Sequence, residues 1–267
     1  MITINEVLFF DTETTGIPNR SANWETDYNE YPHIVQLSWM IGTKVENHII
    51  YPDGWEVPQE TTEIHGITTE YAKEHGEPFA KVVDMFINDC HEASMICGHN
   101  IHFDTSIVKA NILRELGRDY YDGNDVELAL WKGKRIDTML SSMKWVDARF
   151  ANGRLKFPNL TELYSRCFPD ESFPAHDALE DVKAVARCLP ILLERGLVEL
   201  KLKEYSDKGP EKEQKNTAPA ELPQNSPDSH DSAKDGKLPI ETQKAPQIEN
   251  LAKISTNVTE LLEEDNF

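Results

Sequence analysis

The apolar positions of the first 200 residues follow two periods. "EVLFFDT" (6–12) and "HIVQLSWMIG" (33–42) carry the dense apolar runs of buried strands, and "VENHIIYP" (45–52) is placed to pair with the second. "SMICGHN" (94–100) is a short strand ending at Gly98. Between these runs the spacing becomes helical. In "PFAKVVDMFINDCHEA", Phe79, Val82, Val83, Phe86 and Ile87 share one face; in "FDTSIVKANILREL", Phe103, Ile107 and Ala110 do, with Gly117 as a stop. "NLTELYSRCF" opens with the capping-box pair Asn159 and Glu162, and "DALEDVKAVARCL" with Asp177 and Glu180. Pro190 predicts an end or a kink in that last helix. Strands first and helices interleaved later predict a mixed sheet with flanking helices.

The periodicity stops near Glu204. From there to about Leu238 the chain is rich in Pro, Ser, Asn, Lys and Glu and has almost no large apolar residue, so it cannot bury enough surface to offset its ordering entropy. Residues 1–203 are therefore expected to form the folded domain and 204–240 a disordered linker. Residues 241–267 regain an apolar stripe at Ile248, Leu251, Ile254, Val258 and Leu261, which reads as an amphipathic interaction helix for a protein partner or for the chain's own domain. A weakly docked tail without a role is the alternative.

The net charge of −20 disfavours a protein that grips long nucleic acid over its whole surface. The acidity is not confined to the tail, because residues 204–267 hold 7 Lys against 14 Asp or Glu. Cys90, Cys97, Cys167 and Cys188 show no C-x-x-C spacing, which points to a reducing interior rather than a zinc or disulfide framework. No run approaches the ~18 apolar residues of a membrane span, and residues 1–10 lack the basic start of a signal peptide. The expected location is cytoplasmic.

Four carboxylates in three places raise the chemical question. Asp11 and Glu13 leave the first strand on the same side, beside a turn at Gly16. A bound cation would make this repelling pair favourable, although a solvated acidic turn is the plainer alternative. Asp104 falls in the first turn of a helix, where the dipole alone favours an acid. Asp181 shares a small apolar stripe with Ala178, Ala184, Val185 and Cys188, so it faces other structure and needs a partner or a metal. His176 precedes that helix, a place where a surface histidine is common.

Taken together, "FDTETTG" (10–16 with Phe10), "GHNIHFD" (98–104) and "AHDALEDV" (175–182) resemble the three sequence blocks of the DEDDh, or DnaQ-like, 3′–5′ exonucleases, a family that includes the proofreading subunit of bacterial DNA polymerase III. "ETTEIHGIT" (60–68) resembles a nucleotide-contacting loop of the same class. The resemblance spans about residues 5–196. It implies an α/β, RNase H-like fold with a central five-stranded mixed sheet flanked by helices, followed here by the disordered C-terminal extension. It also implies that Asp11, Glu13, Asp104 and Asp181 hold two divalent cations, Mg²⁺ or Mn²⁺, with Asp11 bridging both. Hard cations suit such oxygen donors, and a close pair of them serves an in-line displacement at phosphorus. His176 is then the general base, and Thr14, Thr15, Ile64 and His65 hold the terminal nucleotide.

The implied activity is a 3′→5′ exonuclease on single-stranded ends, DNA favoured, releasing nucleoside 5′-monophosphates. The alternatives are an RNA exonuclease of the oligoribonuclease or end-trimming type, a partner-bound proofreading subunit, and a non-catalytic interaction subunit. The segment 131–156 bears on substrate binding: seven basic residues stand there against Asp137 and Asp147, with Trp131, Trp145 and Phe150 among them. It reads either as a patch that guides a strand and stacks its bases or as charges coating an exposed helix.

Overall fold

The computed structural model describes residues 2–202. The expected linker at 204–240 and interaction helix at 241–267 lie outside the described residues. In chain order the strands are β1 (Val7–Thr14), β2 (Ile34–Ile41), β3 (Lys44–Ile49), β4 (Met95–Gly98) and β5 (Arg135–Asp137). The helices are α1 (Gln59–His65), α2 (Thr69–His75), α3 (Phe79–Glu92), α4 (Ile101–Glu115), α5 (Gly117–Gly123), α6 (Val126–Ala129), α7 (Thr138–Val146), α8 (Leu160–Cys167) and α9 (Ala178–Glu194).

The five strands form one sheet in the order β3-β2-β1-β4-β5. β2 runs antiparallel to both β1 and β3, while β4 is parallel to β1 and β5 to β4. The β2–β3 hairpin turns through Gly42, whose φ of 57° suits a residue without a Cβ. Such a mixed sheet with helices on both faces is the expected RNase H-like architecture.

The period-2 alternation of β1 divides the core. Leu8 and Phe10 join Leu37, Trp39, Ile96 and the apolar sides of α3 and α4 on one face. Val7 and Phe9 join Met40, Cys97, Ile136 and the apolar sides of α8 and α9 on the other. Because β1 is central and parallel to β4 and β5, the C-terminal ends of all three open at one edge of the sheet. There β1 delivers Asp11 and Glu13, β4 delivers Gly98 and β5 delivers Asp137.

One helix-end expectation needs correction. Asn159 and Glu162 form the capping box at α8, but at α9 Asp177 caps Leu179 and Glu180 while Glu180 turns to Lys183. Pro190 does not end α9, which runs four residues further to Glu194. The flanking Leu189 and Leu192 are fully buried, and their packing outweighs the hydrogen bond that a proline cannot donate.

Candidate active site

Residues 11 and 13 lie on the α9 side of the sheet, in line with Val7 and Phe9. In register, Asp11 faces Ser38 and Glu13 faces Gln36 on β2, and the pairing shifts between Glu13 and Thr14. The chain then leaves the sheet through a turn clamped at both sides. The Thr15 N–H donates to the His33 carbonyl (2.9 Å), and the His33 N–H donates to Thr15 Oγ1 (2.9 Å).

α9 brings the third carboxylate. Asp177 Oδ1 caps the helix by accepting from the Leu179 and Glu180 N–H groups (3.0 and 3.2 Å), and one turn in, Asp181 faces β1. Oxygens of Asp11, Glu13 and Asp181 all lie within 4.8 Å of one another. Each keeps some solvent contact at the mouth while protein encloses its other sides. Asp181 Oδ1 is buried and has no hydrogen-bond partner.

Asp104 arrives from the opposite face, in the first turn of α4. It is only 3 % exposed, and its Oδ1 accepts from the Thr12 N–H (3.2 Å) and Thr12 Oγ1 (2.7 Å). It stands outside the group of three, yet its charge is the strongest of those acting on Asp11. Asp11 thus sits between Asp104 on one side and Glu13 and Asp181 on the other.

Burial and mutual repulsion hold these acids far from their ordinary state. Burial, then the charges of Asp104 and Asp181, push Asp11 well above the usual carboxylate range. Burial and Asp181 push Glu13 up to about 8. Burial pushes Asp104 up to about 7 against the pull of its Thr12 hydrogen bonds. Burial also pushes Asp181 up to about 7, while the His176 backbone N–H draws it back. Four neighbouring acids that share so few donors, one with an orphaned buried oxygen, fit a hard divalent cation. It would satisfy the oxygens and restore their charge.

The other expected residues border this group. His176, exposed and at φ 71°, lies just before the α9 cap. His65 ends α1, which Gly66 terminates at φ 76°. The Ile67 N–H donates to His65 Nδ1 (3.1 Å), so Nε2 carries the proton of the neutral ring. That Nε2 is buried beside the Thr14 backbone without a well-formed hydrogen bond, and burial, with His176 nearby, opposes a charge on the His65 ring. Ile64 is 56 % exposed.

Sequence reasoning missed three contributors. Asp177 is more than a cap, since its charge also acts on Asp11, Glu13 and Asp181. Thr12 orients Asp104. Gln36 is 2 % exposed and bonds to the start of α9; its signal was a lone amide inside the apolar run "HIVQLSWM".

Much of the basic segment turns inward. Lys134 Nζ donates to the Cys90 carbonyl, and Arg135 donates to the Leu130 carbonyl. Arg149 pairs with Asp147 and Lys156 with Glu162. The Trp145 ring lies under the guanidinium groups of Arg166 and Arg195. Lys132, Lys144 and Arg154 remain exposed, without an ion pair among the described residues. Among the described residues no helix is long and apolar enough to cross a membrane.

The exonuclease family model RNase_T matches residues 8–189. No curated protein matches the sequence. Among solved structures, the fold is similar to that of E. coli exonuclease I in complex with a dA16 oligonucleotide, at 20% identity and a TM-score of 0.53 over 72% of this chain and 41% of that one. It is also similar to an exonuclease I from Methylocaldum szegediense, at 19% identity and a TM-score of 0.51 over 71% of this chain and 40% of that one. The match thus spans less than half the length of either enzyme. With the family model covering most of its length, this chain belongs to the exonuclease family.

Proposed function

We propose that this exonuclease removes nucleotides from the 3′ end of single-stranded DNA, releasing nucleoside 5′-monophosphates with two divalent cations, Mg²⁺ or Mn²⁺. The observation that carries this reading is the group of repelling, part-buried carboxylates around Asp11, one oxygen of which lacks any partner. Asp11, Glu13, Asp104 and Asp181 would hold the cations, which when bound supply positive charge to the phosphoryl oxygens as negative charge develops on them.

The chain's own groups do the rest. His176 takes the proton of the attacking water at its imidazole, from a position next to Asp181 and open to solvent. His65 Nε2–H, buried beside the Thr14 backbone without a well-formed hydrogen bond, is a donor suited to an oxygen of the terminal nucleotide. The backbone of Thr14 and Thr15, stiffened by the two His33 bonds, borders the same space, and exposed Ile64 offers an apolar surface to the sugar or base. E. coli exonuclease I has been captured with an oligodeoxynucleotide, which favours DNA here.

The deciding experiment follows 3′- and 5′-labelled single strands of DNA and RNA with Mg²⁺, Mn²⁺ or EDTA. The expected result is immediate release of the 3′ label as a mononucleotide from DNA, with none in EDTA. Early loss of the 5′ label would overturn the direction, and faster RNA digestion would overturn the substrate.

A further inference from the structure

A polar relay runs from the buried Gln36 and Ser38 of β2 to the exposed Asn47 of β3, on the sheet face that carries the carboxylates. The Ala178 N–H, in the first turn of α9, donates to Gln36 Oε1 at 3.2 Å. Gln36 Nε2 donates to Asn47 Oδ1 at 2.9 Å and approaches Asp177 Oδ2 at 3.4 Å. Asn47 Oδ1 also accepts from Ser38 Oγ at 2.8 Å. The geometry leaves one orientation of the Gln36 amide. A backbone N–H can only donate, so the oxygen must face Ala178 and the NH₂ must face Asn47.

Gln36 and Ser38 are 2 % and 0 % exposed and lie opposite Glu13 and Asp11. Met40 continues the same face as ordinary apolar core. Side chains of that kind would also have filled positions 36 and 38, so the amide and hydroxyl there call for a reason other than burial. The reason lies at the other end of the relay. His176 holds φ 71°, a region that non-glycine residues enter only when their surroundings over-determine them. The next two residues are the ones Gln36 meets, Asp177 through its carboxylate and Ala178 through its N–H.

We infer that Gln36, oriented by Asn47, is a positioning residue that holds the 176–178 backbone so that His176 faces the carboxylates of β1. The Gln36 amide does both jobs at once, its oxygen accepting from Ala178 and its nitrogen donating to Asn47. Glutamate at 36 would lose the donor and set a further charge beside Asp177. The role rests on the exonuclease reading for its catalytic consequence, though not for the clamp itself.

The test uses the full chain under single-turnover conditions with saturating Mg²⁺. Gln36→Met is expected to lower the chemical rate about 10²-fold, the scale of a misplacement near 1 Å, with little change in KM for the oligonucleotide. In a His176→Ala background the same substitution should cost less than about threefold, because the group it positions is gone. Equal losses in both backgrounds would overturn the inference. Asn47→Ala, on an exposed edge strand, guards against misfolding of the core variant. It should lower the rate about 3–10-fold, a partial share of the same effect, and Asn47→Asp, which keeps the acceptor oxygen, should restore it.

Hydrogen exchange supplies a readout independent of activity. The amides of 176–181 should exchange faster in Gln36→Met and Asn47→Ala and at the normal rate in Asn47→Asp. Unchanged exchange in Gln36→Met would overturn the clamp. A wild-type chain inactive on single strands would sink the exonuclease reading, while exchange would still decide the clamp.

Discussion

Two acidic sites packed against the same sheet show what distinguishes a structural carboxylate from a functional one. Asp89 on α3 is 6 % exposed, and every lone pair that matters is engaged. The Trp39 Nε1–H donates to it at 2.6 Å, and Lys44 Nζ donates to both oxygens at 2.6 and 2.8 Å. Among the described residues, Asp11, Glu13 and Asp181 have no such cation and face one another instead. The first site ties β2 and β3 to α3. The second costs the metal-free fold stability, a cost that a bound cation would offset. A buried acid with its donors in place belongs to the fold, whereas acids that burial has left in one another's company point to a ligand.

The sharpest way to break this contrast is to remove one acid from each site. Asp11→Ala should bring hydrolysis to background while the fold persists, and without metal it should melt higher than the wild type at pH 8, because repulsion is relieved. Activity unchanged in that variant would dissolve the metal assignment. His176→Ala should lower the single-turnover rate ~10²–10⁴-fold with metal affinity nearly intact, since in the proposed mechanism it accepts a proton and holds no cation. A near-normal rate would remove it from the mechanism.

Asp89→Ala should do the reverse. Stranding the Trp39 donor should cost about 1–3 kcal/mol of stability, visible in denaturant unfolding, with kcat within twofold of normal. A large loss of kcat in folded protein would mean that the two sites are not independent.

The pH dependence of metal-free stability separates the sites more gently. Glu13, Asp104 and Asp181 are acids whose folded values, about 8, 7 and 7, exceed their ordinary values of 4.5, 3.8 and 3.8. The folded state therefore binds more protons than the unfolded state between about pH 4 and 8, and stability must fall as pH rises through that window. Melting in EDTA should show the decline, and Mg²⁺ should raise Tm more at pH 8 than at pH 5. Asp11→Ala should flatten the slope.

The smallest effect concerns the exposed cations. Changing Lys132, Lys144 and Arg154 together to Glu should weaken oligonucleotide binding a few-fold at low salt, the difference shrinking as salt rises. Equal affinity at low salt would assign even these three to the solvated surface.

The line between what could be read and what could not follows the range of the forces involved. Period-2 and helical spacing are local, so β1 to β4, α3, α4, α8, the Asp177 cap of α9 and the common side of Asp11 and Glu13 were legible from residues alone, whereas the three residues of β5 were not. The inward face of Asp181 was legible too, from the small residues around it. The short helices α1, α2, α5 and α6 were not, because four to seven residues carry too little periodicity to declare themselves.

Nor could a charge count reveal direction: Lys134 and Arg135 look like a nucleic-acid patch in the sequence but serve carbonyl groups inside the fold. Partnership across long separations was likewise invisible. Thr12 meets Asp104 across 92 residues, and Gln36 meets Ala178 across 142. By itself the sequence determined which chemical groups each element carries and toward which side it presents them. Only the tertiary structure decided which groups meet, because packing two faces of one sheet brings together atoms whose separation along the chain holds no record of it.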